Sequence, residues 1–153
     1  MHKDIVVVDA NIAVKWAVME EDSHIAERLL MEWNLQSTRI IVPVLFLCEI
    51  SNILWKKVRR DVLAFSRTKQ AMKFILDIGI ETYCSVDKEV NLRVLELANT
   101  YKLPASYDAY YLALAERENC EFWTADARLY NAVRDRLSWV RLMADLPSAS
   151  LAS

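Results

Sequence analysis

The sequence predicts an α/β fold: a mainly parallel five-stranded sheet with helices packed on both faces. Three observations carry this. Five short, largely apolar runs (residues 5–8, 39–42, 80–85, 121–124 and 139–142) alternate with longer stretches of helical character. The first run, IVVV, is apolar without alternation, as a strand covered on both sides must be. A chain of 153 residues, 54% of them hydrophobic, can bury one sizeable core and by length forms one domain.

Taken in order, the strand Ile5–Val8 runs into Asp9, a good helix N-cap, and a brief helix Asn11–Val18 follows. Ser23–Leu35 is a longer helix, with Ile25, Leu29 and Leu30 at helical spacing. The strand Arg39–Val42 is closed by Pro43. Val44–Arg60 and Val62–Ile78 read as helices, the second ended by Gly79 in the favoured C′ position. Ile80–Ser85 is the third strand. Asp87 caps a helix that runs to about Tyr101 and is broken by Leu103-Pro104. Ser106 opens the helix Tyr107–Asn119, Glu121–Thr124 is a strand, Asp126–Leu137 the last helix and Trp139–Leu142 the last strand. Residues 1–145 are read as one domain, and 146–153 (LPSASLAS) as a flexible, fraying tail.

Composition excludes several kinds of chemistry. Nineteen basic and twenty-one acidic residues give a net charge of −2, so any nucleic-acid contact must be local rather than a bulk effect. The single glycine rules out glycine-rich phosphate loops, and His2 and His24 lie outside any HExxH pattern. There is no GxSxG elbow. The longest apolar run, Ile40–Cys48, is about half a membrane span, and charge interrupts the amino terminus too early for a signal peptide. A soluble, cytoplasmic protein with no membrane contact is expected. Cys48, Cys84 and Cys120 lack CxxC spacing and read as small apolar core residues in a reducing compartment. Any chemistry here must run on carboxylates.

Four acids are unusually placed. Asp9 ends the first strand, and Asp126 follows the fourth strand by two residues. In open parallel sheets, ligands bind beyond the carboxyl ends of the strands, where the strand order reverses. Glu49 lies within VLFLCEISNILW and Asp108 within SYDAYYLALAE, both strongly apolar helices in which an unpartnered carboxylate is costly. Each acid has a plain explanation in a cap, a helix dipole or an ion pair. Together they suggest one site, whose mutual repulsion a divalent cation would relieve. Oxygen-only ligands favour Mg²⁺ or Mn²⁺, and such ions support phosphodiester hydrolysis without a histidine base.

The stretches VVVDANIAVKW, FLCEISNILWK, LPASYDAYYLALAE and FWTADARL together resemble the PIN-domain ribonucleases, in particular the VapC-type toxins of toxin–antitoxin pairs. The resemblance spans nearly the whole chain. It implies a PIN-like three-layer α/β/α sandwich, Mg²⁺-dependent (or Mn²⁺-dependent) endoribonuclease activity on an RNA substrate, a homodimer and a VapB-type antitoxin. It makes Asp9, Glu49, Asp108 and Asp126 the metal-binding and catalytic acids. Asn11 and Thr124 become accessory polar groups that orient a metal-bound water or a phosphate. A binding-only or partner-sequestering module of the same fold, and a nuclease that is not a toxin, are the alternatives.

Secondary features are weaker. Lys56 and Lys57 lie in the basic run KKVRR; Lys56, seven residues after Glu49, is on the same helix face about 10 Å further along. Both are candidate RNA-phosphate contacts, against the plain reading of a solvated helix end. Tyr107, Tyr110 and Tyr111 read as packing residues, and the five tryptophans as core or interface. The two apolar helices over residues 44–78 are expected to face a partner. Receiver-like or dehalogenase-like phosphoryl transfer fits less well, since ETYCS carries no aspartate and Asn11 stands where DxD would place an acid.

Overall fold

The computed structural model describes residues 1–84 and 87–147, with Lys3 described in its backbone only. Five strands, β1 (His2–Val8), β2 (Arg39–Pro43), β3 (Glu81–Tyr83), β4 (Cys120–Thr124) and β5 (Val140–Leu142), form one sheet in the order β3-β2-β1-β4-β5. Every neighbouring pair is parallel. Among the described residues the helices are α1 (Ala10–Ala17), α2 (Ser23–Leu35), α3 (Leu45–Arg59), α4 (Phe65–Asp77), α5 (Lys88–Thr100), α6 (Tyr107–Arg117) and α7 (Ala127–Val133). The expected α/β sandwich is therefore present. Strand order runs outward in opposite directions from β1 and β4, so the gap between their carboxyl ends is the switch point.

Val6, Val7 and Val8 are all buried, which only a sheet covered on both faces allows. β2 is likewise buried from Ile40 to Pro43, whereas β3, at the edge, is mostly exposed. Tyr111 of α6 stacks on Phe122 of β4, with ring centroids 5.6 Å apart. Trp16, Trp33 and Trp123 form an edge-on chain with 6.3 Å between successive centroids, and the Trp16 indole donates to the Ala26 carbonyl at 2.9 Å. The turn between α1 and α2 is locked by buried Ser23, whose hydroxyl accepts from Glu20 N and donates to Val18 O.

Several expectations are corrected. α4 begins at Phe65 rather than Val62, because Asp61 takes a left-handed conformation (φ 57°) and the amides of Val62 and Leu63 close the end of α3 on the Lys57 carbonyl. α7 stops at Val133, and the amides of Arg136 and Leu137 both turn back to the Val133 carbonyl ahead of β5. β1 starts earlier, at His2, whose amide bonds the Asn119 carbonyl. With a single glycine available, Ser37, Asp61, Lys102 and Asn119 all carry positive φ at helix ends, at about 1–2 kcal/mol each.

Cys120 is buried as expected, but Cys48 and Cys84 are exposed. Cys48 belongs to an outward stripe of α3 with Val44, Ser51, Asn52 and Trp55, so this helix is amphipathic rather than buried all round. At the carboxyl end, Leu146 packs on the core and the Pro147 carbonyl accepts from Arg28, so the tail is held at its start. Residues 148–153, and Ser85 of the expected third strand, lie outside the described residues.

Candidate active site

The two strand-end acids sit on either side of the switch point. Asp9 follows β1 and caps α1: its Oδ1 accepts from Ile12 N at 2.8 Å. Its Oδ2 accepts from the Thr124 hydroxyl at 2.5 Å and from Ala125 N at 3.1 Å. Asp126, after β4, caps α7, its Oδ1 accepting from Arg128 N at 2.8 Å and Leu129 N at 3.2 Å. Thr124 joins the two, since its hydroxyl also accepts from Asp126 N at 3.0 Å. That hydroxyl is fully buried, and its one donated and one accepted bond link the two aspartates.

The helix-borne acids are held more lightly. Glu49, in the second turn of α3, is half-buried and accepts through Oε2 from the Tyr111 hydroxyl. Asp108 lies in the first turn of α6, half-buried, and no hydrogen bond from the described residues reaches its carboxylate. Asn11 is exposed on the first turn of α1.

The acids feel one another. Burial raises Asp9 to about 6, against the pull of its three donors, and the charge of Asp108 adds to the rise. Burial also raises Glu49, with repulsion from Asp108 and Asp9 adding to it despite the Tyr111 bond. Asp108 is raised by burial and by Asp126, and lowered by Arg128. Tyr111 is pushed up strongly by burial and by Glu49, so its phenol remains a proton donor.

Acids from four separate elements thus share one field. Even so, among the described residues no three His, Cys, Asp or Glu side chains stand close enough together to hold a metal ion as they are. The donor chemistry suits a hard cation all the same. The site offers oxygen only, and lone pairs stay unspent on Glu49 Oε1, Asp126 Oδ2 and both oxygens of Asp108.

The lysines behave differently. Lys57 is turned to Glu20, which also holds Lys15 at 2.7 Å, while Lys15 reaches Asp22 at 2.7 Å. Lys56 is exposed and makes no ion pair among the described residues. Neither is brought to the carboxylates. Two other groups do reach the acids and were not singled out for it in the sequence: Tyr111, read there as packing, and Arg128, whose guanidinium lies 4.0 Å from Asp126. Arg128 could have been found from its place two residues after an acid in a first helical turn. Tyr111 could not, because its partner is 62 residues away.

The PIN domain family's sequence profile matches residues 6–135. Ribonuclease VapC3 of Pyrobaculum aerophilum is 31% identical over 127 residues, which cover 80% of this chain and 90% of the relative. Among solved structures, a Pyrobaculum aerophilum protein superimposes with a TM-score of 0.66 at 20% identity, covering 91% of this chain and 90% of its own. A toxin–antitoxin complex from Klebsiella pneumoniae gives 0.61 at 17%, covering 90% and 97%. VapC20 of Mycobacterium tuberculosis, a sarcin–ricin loop cleaving toxin, gives 0.60 at 14%, covering 84% and 95%. At these identities the solved structures share the fold, and the profile match and the 31% relative identify the family. With acids at the switch point of a 3-2-1-4-5 parallel sheet and a profile match over most of its length, the chain belongs to the PIN-domain family.

Proposed function

We propose that the protein is a Mg²⁺- or Mn²⁺-dependent endoribonuclease that hydrolyses RNA at Asp9, Glu49, Asp108 and Asp126, and that it is the toxin of a VapBC-type pair. The observation that supports this most is the shared field of four acids, carried by four elements at the switch point of a PIN-domain chain. The relatives point the same way, one named a ribonuclease and one solved as a toxin–antitoxin complex.

Divalent ions in such a site supply an activated water at neutral pH and offset the charge of the phosphate. The chain's own residues set the rest. Asp9 and Asp126 are fixed by backbone amides, and Thr124 keeps their spacing. Glu49 and Asp108, held by fewest bonds, are the acids free to adjust around a ligand. As the attacking water forms its bond to phosphorus, the bond to a ribose oxygen breaks and a proton must be taken up. The proton that the water gives up can pass to the leaving ribose oxygen, which must itself be protonated. Asn11, exposed two residues after Asp9, is read as an accessory polar group for the substrate or its water.

A homodimer and a VapB-type antitoxin complete the reading. Trp55 on α3 and Phe65 at the start of α4 are about half exposed and line one groove, an apolar feature suited to a protein partner. No helix among the described residues is long and apolar enough to cross a membrane.

The test is cleavage of single-stranded and structured RNA with Mg²⁺, with Mn²⁺ and with EDTA, beside Asp108→Asn. Cleavage lost in EDTA and in the variant is expected. Cleavage that persists at the wild-type rate in either would overturn the assignment.

A further inference from the structure

We propose that Arg128 binds the substrate's phosphate: its guanidinium, at the rim of the site beside Asp126, takes a non-bridging oxygen of the RNA phosphate at or next to the cut. The inference rests on the nuclease reading above and adds to it a residue for the anionic charge of the substrate itself.

Arg128 stands in the first turn of α7, with Nη2 4.0 Å from Asp126 Oδ2. Among the described residues it is the one cation that pairs with any of the four carboxylates. Its field also reaches Asp108. The other arginines and lysines that form ion pairs among the described residues are engaged elsewhere. Lys15 and Lys57 are tied to Glu20, Arg93 to Glu96 and Glu116, and Arg141 to Glu121.

The pair with Asp126 is not a strong one. At 4.0 Å it is too long for a hydrogen bond, and the Arg128 side chain is 80% exposed. Asp126 already accepts two backbone amides, so it does not need the guanidinium to be satisfied. A cation held loosely over a negative site is released once the carboxylates are neutralised, and is then free for an arriving anion. The planar guanidinium fork matches two oxygens of a phosphate, which an ammonium cannot do.

Affinity for a fluorescent single-stranded RNA of mixed sequence would be measured across a salt series, in a cleavage-deficient Glu49→Gln background. Arg128→Ala is expected to weaken binding about tenfold at low salt and to reduce the slope of log affinity on log salt by about 0.7, one phosphate contact on a single strand. Arg128→Lys should restore the slope but only part of the affinity. Arg134→Ala removes an exposed charge paired with Asp135 at the end of the same helix, and should leave the slope unchanged. Equal thermal midpoints would show that the fold is kept. If Arg128→Ala binds with the parent's slope, or no differently from Arg134→Ala, the role of Arg128 is overturned and the nuclease reading stands. A parent that binds no RNA at all overturns both.

Discussion

The two halves of the acidic site are built differently. On the strand side, Asp9 and Asp126 are helix caps: both oxygens of Asp9 and Oδ1 of Asp126 accept backbone amides, with the buried Thr124 hydroxyl between the two residues. On the helix side, Glu49 hangs from one tyrosine hydroxyl and Asp108 from none of the described residues. The first pair therefore helps to hold the fold together, whereas the second contributes little to it. Removing a strand-side acid should disturb both stability and activity, and removing a helix-side acid only activity.

The largest effect that could break this comparison is in catalysis. Asp108→Asn is expected to lower RNA cleavage by about a hundredfold or more while leaving the thermal midpoint unchanged or slightly higher, since it relieves repulsion on Asp9 and Glu49. A fall of several degrees would place Asp108 with the structural acids instead.

The next concerns pH. The folded carboxyl of Asp9 lies at about 6, above its ordinary 3.8, so the folded state holds its proton more tightly than the unfolded one. Stability carried by the neutral form is complete below about pH 4 and is lost as pH rises through about 6. Asp9→Asn cannot lose a proton, so relative to wild type it should gain up to about 3 kcal/mol between pH 4 and pH 7. Urea unfolding at several pH values measures the difference, and a gap that stays constant with pH would contradict it.

Two conservative substitutions then compare the halves directly. Thr124→Val leaves Asp9 short of a donor and the Asp126 amide short of an acceptor, and should cost about 2 kcal/mol. Tyr111→Phe keeps the stacking on Phe122 and removes only the hydroxyl to Glu49, which retains solvent access, so about 1 kcal/mol is expected. Equal losses would mean that the two sides are equally structural. Divalent ions give one more comparison: Mn²⁺ at about a hundred times its dissociation constant should add about 2.7 kcal/mol to wild type and clearly less to Asp108→Asn, and the difference between the two is the measured quantity.

Much of the fold can be read from the residues, for identifiable reasons. Helix α2 runs over Ser23–Leu35 as the spacing of its apolar residues predicts, Asp87 caps α5 through Glu89 N, and Gly79 closes α4 at φ 89°. These are local matters of periodicity and caps. The misreadings are of another kind. Val62 and Leu63 look helical, but the end of α3 uses their amides; Cys48 looks like core, but the packing of α3 turns it outward. Burial and termination depend on which neighbour arrives, which periodicity within one segment does not record.

The same division holds for the site. The sequence by itself determined that any chemistry would rest on carboxylates, because it offers no phosphate loop and no catalytic histidine pattern, and it singled out Asp9 and Asp126 by their places after strands and Glu49 and Asp108 by their places in apolar helices. Only the tertiary structure decided how those acids are held. The parallel order 3-2-1-4-5 sets β1 beside β4, and so brings the Thr124 hydroxyl to an aspartate 115 residues away. It joins Tyr111 to Glu49, sends Lys57 to Glu20 and leaves Arg128 at the rim. The physical reason is range: caps and periodicity act over three or four residues, while hydrogen bonds and charge repulsion act over a few ångströms, whatever the distance along the chain.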